Sequence, residues 1–205
     1  LNRYQYASRE HVVFGILWHT GIRLGSLRSL DLDDFDADGQ YLQLRHRPET
    51  GTPLKNGRAA ERAIAVGDFY GEVIQEYIEN HRDSVTDEYG REPLITTTNG
   101  RIATGTIAGY AYKYTQPCRY KRRCPLDRNP ETCESTEHAK VSSCPESVSP
   151  HPFRRGSITH WLRSDVPSRV VSDRADVSER VIDKHYDERT DQEKMEQRRG
   201  YLDNV

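Results

Sequence analysis

Apolar residues in this chain are scarce and arrive in short blocks at three- and four-residue spacing, and that pattern leaves few folds open. Only 34% of the 205 residues are hydrophobic, so each block must commit one apolar face to a shared core. Val12, Val13, Ile16 and Leu17 form the first stripe, with Ser8 as N-cap and Gly21 as the stop. Leu24, Leu27 and Leu30 give a second, shorter helix directly after it. Val73, Ile74, Tyr77 and Ile78 mark a third over residues 69–81, with Asp68 as its cap. Further helices are expected over Thr104 to Thr115, through Phe153, Ile158, Trp161 and Leu162, through Val170 and Val171, and from Ser178 to about Tyr186. Thr190 and Glu193 make the S/T-x-x-E pattern of a capping box, which starts a terminal helix running to Leu202.

Strand signals are few. YLQLR (41–45) alternates as a strand, TPLKNGRAAERAIAV (52–66) reads as a hairpin with Lys55, Asn56 and Gly57 at its tip, and PLITT (93–97) reads as a short strand that its proline can only begin. The acidic run DLDDFDADGQ (31–40) reads as loop and turn. The expected fold class is therefore α+β, mainly α: a helical core with a small antiparallel three-stranded sheet. Residues 117–148 crowd Cys, Pro, Ser and charge together without periodicity and read as an insertion.

The length suits one domain over residues 1–205 with a single core. No run approaches the roughly eighteen apolar residues of a membrane span, and the first residues show no basic-then-apolar leader, so a cytoplasmic protein is expected. Thirty Lys and Arg against 32 Asp and Glu give a net charge of −2, which does not mark a nucleic-acid binder. Within the basic set Arg outnumbers Lys 24 to 6, and the planar guanidinium grips phosphate through two parallel hydrogen bonds. The same excess also suits adaptation to concentrated salt, where phosphate contacts are screened.

Three separated pieces carry chemistry. They are Thr20-Gly21-Ile22-Arg23 at a helix junction, His151-Pro152-Phe153-Arg154, and Tyr186 within KHYDERT. Two arginines and a histidine suit a phosphodiester, whose pentacoordinate transition state gathers negative charge on its non-bridging oxygens. A tyrosine phenolate supplies a nucleophile whose phosphate ester conserves bond energy for rejoining, with no cofactor required for catalysis.

In this order and spacing the three pieces resemble the boxes of the tyrosine recombinase, or phage integrase, family. TGIR with a leucine-rich short helix behind it is similar to the family's first arginine box, HPFR to its H-x-x-R box, and Tyr186 follows Arg154 by 32 residues. The likeness runs from about Ser8 to Tyr186 and is nearest to integrases of halophilic archaea. The resemblance implies that Arg23 and Arg154 hold the scissile phosphate of double-stranded DNA, and that His151 hydrogen-bonds it or assists the proton of Tyr186. It implies that Lys55 protonates the leaving 5′ oxygen, although Lys55-Asn56-Gly57 is also an ordinary hairpin turn. It further implies a homotetramer on paired sites with the C-terminal helix docked on a neighbour. The family's N-terminal DNA-clamping domain has no counterpart in these residues and is expected to be absent from the chain.

Two positions depart from the family pattern. The His or Trp usual nine residues before the nucleophile is Val177, beside Asp176, so a third phosphate ligand must come from elsewhere, with His185 as a stand-in. The acidic residue usual three positions after the first arginine is Ser26, which leaves Arg23 to be oriented by that hydroxyl or by a carboxylate such as Asp31. Tyr201 is a second candidate nucleophile, read instead as a packing contact of the tail helix.

Cys118, Cys124, Cys133 and Cys144 are the only cysteines and all fall in the insertion. Such clustering points to a structural Zn²⁺ that folds a segment too small to hold itself together, with His138 able to replace one thiolate. The spacing lacks C-x₂-C knuckles, so unligated thiols remain an alternative, and disulfides rank last. Arg119, Lys121, Arg122 and Arg123 form a basic run suited to a DNA backbone or to a solvated loop face. The resulting reading is a site-specific recombinase. Its rivals are a type IB topoisomerase and a non-catalytic, zinc-stapled DNA-binding module.

Overall fold

The computed structural model describes residues 5–202. Helix α1 (Arg9–Thr20) begins where Ser8 accepts the amide hydrogen of His11 and ends where Gly21 turns left-handed at φ 62°. The short α2 (Leu24–Ser29) follows, with Arg23 in extended conformation at its start. A 3₁₀ turn (Leu32–Asp34) leads into β1 (Phe35–Asp36), which pairs antiparallel with β2 (Tyr41–Leu44). Strand β2 pairs in turn with β3 (Arg62–Ala65), giving a three-stranded sheet in the order β1-β2-β3. Helix α3 (Gly67–Asn80), the small hairpin of β4 (Thr96–Thr97) and β5 (Gly100–Arg101), and α4 (Thr104–Thr115) complete the first half.

Several local expectations are corrected here. The third strand comes from the acidic run read as loop, while PLITT lies outside that sheet: Thr96 and Thr97 pair with residues 100–101 in a separate hairpin, and Pro93 makes an isolated bridge to Asp31. Strand assignment failed because a two-residue strand offers no alternation to detect. Between β2 and β3 lies no tight turn but the long stretch 45–61, which contains two 3₁₀ turns. Asp68 sits inside the first turn of α3, where its charge meets the positive helix end, and Val66 holds the cap position.

Residues 117–148 carry α5 (Pro117–Tyr120) and two 3₁₀ segments, Glu134–Thr136 and His138–Ser143. The fully buried Gln116 fastens this stretch: its Nε2 donates to the carbonyls of Ser135 and Val141, and Arg119 donates back to its Oε1. Regular structure resumes with α6 (Pro150–Arg163), α7 (Ser168–Ala175), α8 (Glu179–His185) and α9 (Asp191–Leu202). The capping box of α9 forms as expected, with Thr190 and Glu193 each accepting the other's amide hydrogen.

Two apolar clusters result. The larger joins α1, α2, the sheet, α3 and α4 through Val13, Leu27, Leu42, Ile64, Ile74 and Ile107. The smaller joins α6, α7 and α8 through Ile158, Leu162, Val171, Ile182, Val177 and Tyr186. They meet where α6 crosses the end of α1, and Gly21 lies at that crossing with Ser157 and Ile158 beside it. A Cβ at Gly21 would force a left-handed alanine in front of α6. We expect Gly21→Ala to destabilise the protein by about 1–2 kcal/mol in urea unfolding, and an unchanged midpoint would contradict the role assigned to this turn.

Candidate active site

The end of α1 organises the site. Residues four positions further along a continuing helix would have donated their N–H groups to its last carbonyls, but the helix stops, so those carbonyls need other donors. Side chains from α6 and α7 supply them. Ser157 donates to the Trp18 carbonyl, Arg174 Nη2 to the His19 carbonyl at 3.1 Å, and Arg154 Nη1 to the Gly21 carbonyl. Arg154 is thereby drawn into the interior, only 7% exposed. Burial, and then the neighbouring Arg23 guanidinium, press its pKa below the ordinary arginine value, while Tyr186 lies close enough to oppose the shift.

Arg23 reaches the same place from the α1–α2 junction. Its Nη1 forms an ion pair with Asp176 Oδ2, and its Nη2 donates to the Asp176 backbone carbonyl at 2.9 Å. The partner of Arg23 is therefore neither Ser26 nor Asp31. Asp31 is engaged elsewhere by Arg47, Arg91 and Arg101. Tyr186 closes α8 as its C-cap; its N–H donates to Ile182 and its carbonyl accepts from Thr159 Oγ1 at 2.8 Å. The ring is 7% exposed within the smaller cluster. His151, in the first turn of α6, holds its ring centroid 6.5 Å from that of Tyr186. Arg23, His151 and Arg154 border a cleft of about 200 Å³ with Leu17, Ile22 and Phe153.

Four of the five expected catalytic residues thus converge. The fifth, Lys55, is exposed on the 45–61 stretch, and among the described residues it forms no hydrogen bond or ion pair. Its neighbour Asn56 does reach the site, donating to both carboxylate oxygens of Asp176 at 3.0 Å.

Sequence reasoning missed two further arginines. Arg62, at the start of β3, donates from Nε and Nη2 to the Arg174 carbonyl at 3.0 and 2.8 Å. Burial lowers its pKa to about 10, and the nearby charges of Arg154, Arg23 and Arg174 act the same way against the pull of Asp176. Arg174 also donates to the Ala65 carbonyl and lies over the Trp161 ring, 4.9 Å from its centroid. The guanidinium groups of Arg23, Arg62 and Arg154 therefore lie near one carboxylate, that of Asp176, with Arg174 adding its charge beside Arg62, a local positive excess in a chain whose formal net charge is −2. Nothing in linear spacing marks Arg62 or Arg174 among 24 arginines.

Other candidates fall outside this constellation. Val177 points into the smaller cluster at 9% exposure, which makes it core rather than a phosphate ligand. His185 is exposed at the end of α8. Tyr201 is 63% exposed, so it is not the packing contact expected of it. The four cysteines are free and half-buried, and all border one small cavity within the insertion. Among the described residues no three Cys, His, Asp or Glu side chains stand as ligands of one metal ion do. His138 lies beside α4, along a different groove. Arg119, Lys121, Arg122 and Arg123 are all exposed. No described helix is long and apolar enough to cross a membrane.

The phage integrase family profile matches residues 2–193. The chain belongs to that family. Its fold is that of the catalytic domain of the tyrosine recombinases. This integrase-family chain is 26% identical over 174 residues to a probable site-specific recombinase in the afa region of Escherichia coli, covering 82% of this chain and 58% of that protein. It superposes on the crystal structure of XerA recombinase with a TM-score of 0.61 at 16% identity, covering 94% of this chain and 56% of the other. It superposes on the Tn1549 transposon integrase, solved in complex with a circular intermediate DNA, with a TM-score of 0.63 at 16% identity, covering 95% and 58%. For a lambda integrase dimer bound to a core site the TM-score is 0.51 at 16% identity, covering 89% and 43%. The chain spans little more than half the length of the first two of these relatives.

Proposed function

We propose that this chain is the catalytic part of a site-specific recombinase that cuts and rejoins double-stranded DNA through a phosphodiester bond to Tyr186. The observation that carries the reading is the convergence of residues far apart in sequence: Arg23, Arg154 and His151 border one cleft, and Tyr186 lies beside His151 and Arg154. Arg23 and Arg154 take the non-bridging oxygens and stabilise their added charge in the transition state. The Tyr186 oxygen attacks phosphorus, the bond to the 5′ oxygen breaks, and Lys55, on the 45–61 stretch, gives that oxygen its proton. His151 is placed to take the phenolic proton or to hold the phosphate. The 5′ hydroxyl of a second strand then attacks the tyrosyl phosphate and reverses the step.

DNA-bound structures of the Tn1549 and lambda integrases support DNA as the partner. Strand exchange between two duplexes calls for four active sites, so the working assembly in this reading is a tetramer. Helix α9 suits docking on a neighbour: it buries no residue of its own and presents Met195, Tyr201 and Leu202 to solvent. The exposed basic run Arg119 to Arg123 suits the phosphate backbone.

Structural Zn²⁺ on Cys118, Cys124, Cys133 and Cys144 is part of the same reading. Four thiols around one cavity fit the donor set, and hydrogen bonding from Ser135, its amide first, keeps the Cys133 thiol below its ordinary pKa. Binding would require the thiols to close in on the ion. We expect about one zinc per chain by elemental analysis of the purified protein. A chain that folds and carries no metal would remove zinc from the account.

The catalytic reading is tested on a nicked suicide duplex whose sequence is selected for binding from a random pool. The wild-type chain is expected to accumulate a covalent protein–DNA adduct, and Tyr186→Phe to bind the duplex and form none. Specific binding without any adduct would favour the non-catalytic DNA-binding module.

A further inference from the structure

The one carboxylate inside the arginine cluster makes contacts that do more than neutralise charge. Asp176 ends α7 in the left-handed region, at φ 50° and ψ 59°, a conformation that glycine takes freely and other residues rarely. That turn brings both its carboxylate and its carbonyl to Arg23, so the guanidinium is held by both Nη atoms and its plane is fixed. Three of the five guanidinium N–H groups stay uncommitted among the described residues and are available to a phosphate. On its other side the carboxylate accepts twice from Asn56, the residue after Lys55. Asp176 therefore links the α1–α2 junction, the stretch that carries Lys55, and the turn that leads into the helix of Tyr186.

We propose that Asp176 is a positioning residue for strand cleavage: it sets the plane of Arg23 toward the phosphate and, through Asn56, fixes the stretch that presents Lys55. The proposal rests on the recombinase reading given above. It also accounts for the absence of an acidic side chain at Ser26, since the orienting carboxylate comes from the far end of the chain. Because Arg23 keeps free donors while bound to Asp176, phosphate and carboxylate can share it without displacement.

The decisive variant is Asp176→Gly, which removes the carboxylate and relaxes the left-handed backbone, so the fold should be retained. On the selected suicide duplex we expect binding within about twofold of wild type and single-turnover cleavage slower by about tenfold to a hundredfold, the range for a lost hydrogen bond to a charged group. Asp176→Asn keeps the backbone carbonyl contact and tolerates the left-handed turn, and is expected to fall between the two. On a duplex with an uncharged methylphosphonate at the scissile position, the deficit of Asp176→Gly should shrink, because there is less charge for Arg23 to meet. An equal deficit on both substrates would mean general damage and would overturn the proposal. So would faster cleavage with tighter binding, which would make the carboxylate a competitor of phosphate. A readout independent of cleavage is the Arg23 Nη–H signal in nuclear magnetic resonance of the DNA-free chain. We expect slow solvent exchange in the wild type and fast exchange in Asp176→Gly. If the wild-type chain forms no adduct, the recombinase reading fails, and this signal still decides the positioning role: unchanged exchange in the variant overturns it.

Discussion

The structure depends on how the last carbonyls of α1 are satisfied. A helix that ends inside a protein leaves acceptors that must find donors, and here Ser157, Arg174 and Arg154 provide them from α6 and α7. Cationic donors suit the negative end of the helix as well as the individual carbonyls. These bonds fasten the two apolar clusters to one another at their crossing. They also decide where guanidinium groups are buried, so a helix-capping requirement places the arginines on which the proposed phosphate site draws.

Charge in this protein is arranged locally. Three carboxylates of the first half form a separate network in which Asp31, Asp34 and Asp87 pair with Arg45, Arg47, Arg91 and Arg101. That network braces the sheet against the β4–β5 hairpin, far along the chain from the cleft. Beside the cleft, Arg23, Arg62 and Arg154 lie close to the carboxylate of Asp176, and Arg174 adds its charge to that of Arg62. Burial works against the charges of Arg62, Arg154 and Arg174, whose pKa values all lie below the ordinary arginine value. In the proposed function, a phosphate entering the cluster would relieve that repulsion.

Much of this was legible from one dimension. Stripes such as Val12, Val13, Ile16 and Leu17 named their helices because burial needs that period, and Ser8, Gly21 and Thr190 marked ends because capping chemistry is local. Arg23, His151, Arg154 and Tyr186 were picked out through ordered boxes; the first three border one cleft, and the Tyr186 ring lies 6.5 Å from that of His151. What could not be read were relations between distant segments. Asp176 meets Arg23 across 153 positions, Arg62 meets Arg174 across 112, and both contacts follow from docking, which leaves no local trace. Val177 was noticed as an odd residue but not as core, since a lone valine after a turn fits no periodic face. The third strand was lost because two residues cannot display alternation.

The account stands or falls on which atom becomes bonded to DNA. Trypsin digestion of the adduct trapped on a suicide duplex, followed by mass spectrometry, reads this directly, because cleavage after Lys184 and Arg189 isolates Tyr186 from Tyr201. The nucleotide mass is expected on the peptide spanning residues 185–189. Its appearance on the peptide carrying Tyr201, or on any other residue, would contradict the assignment of Tyr186 and the geometry built around it.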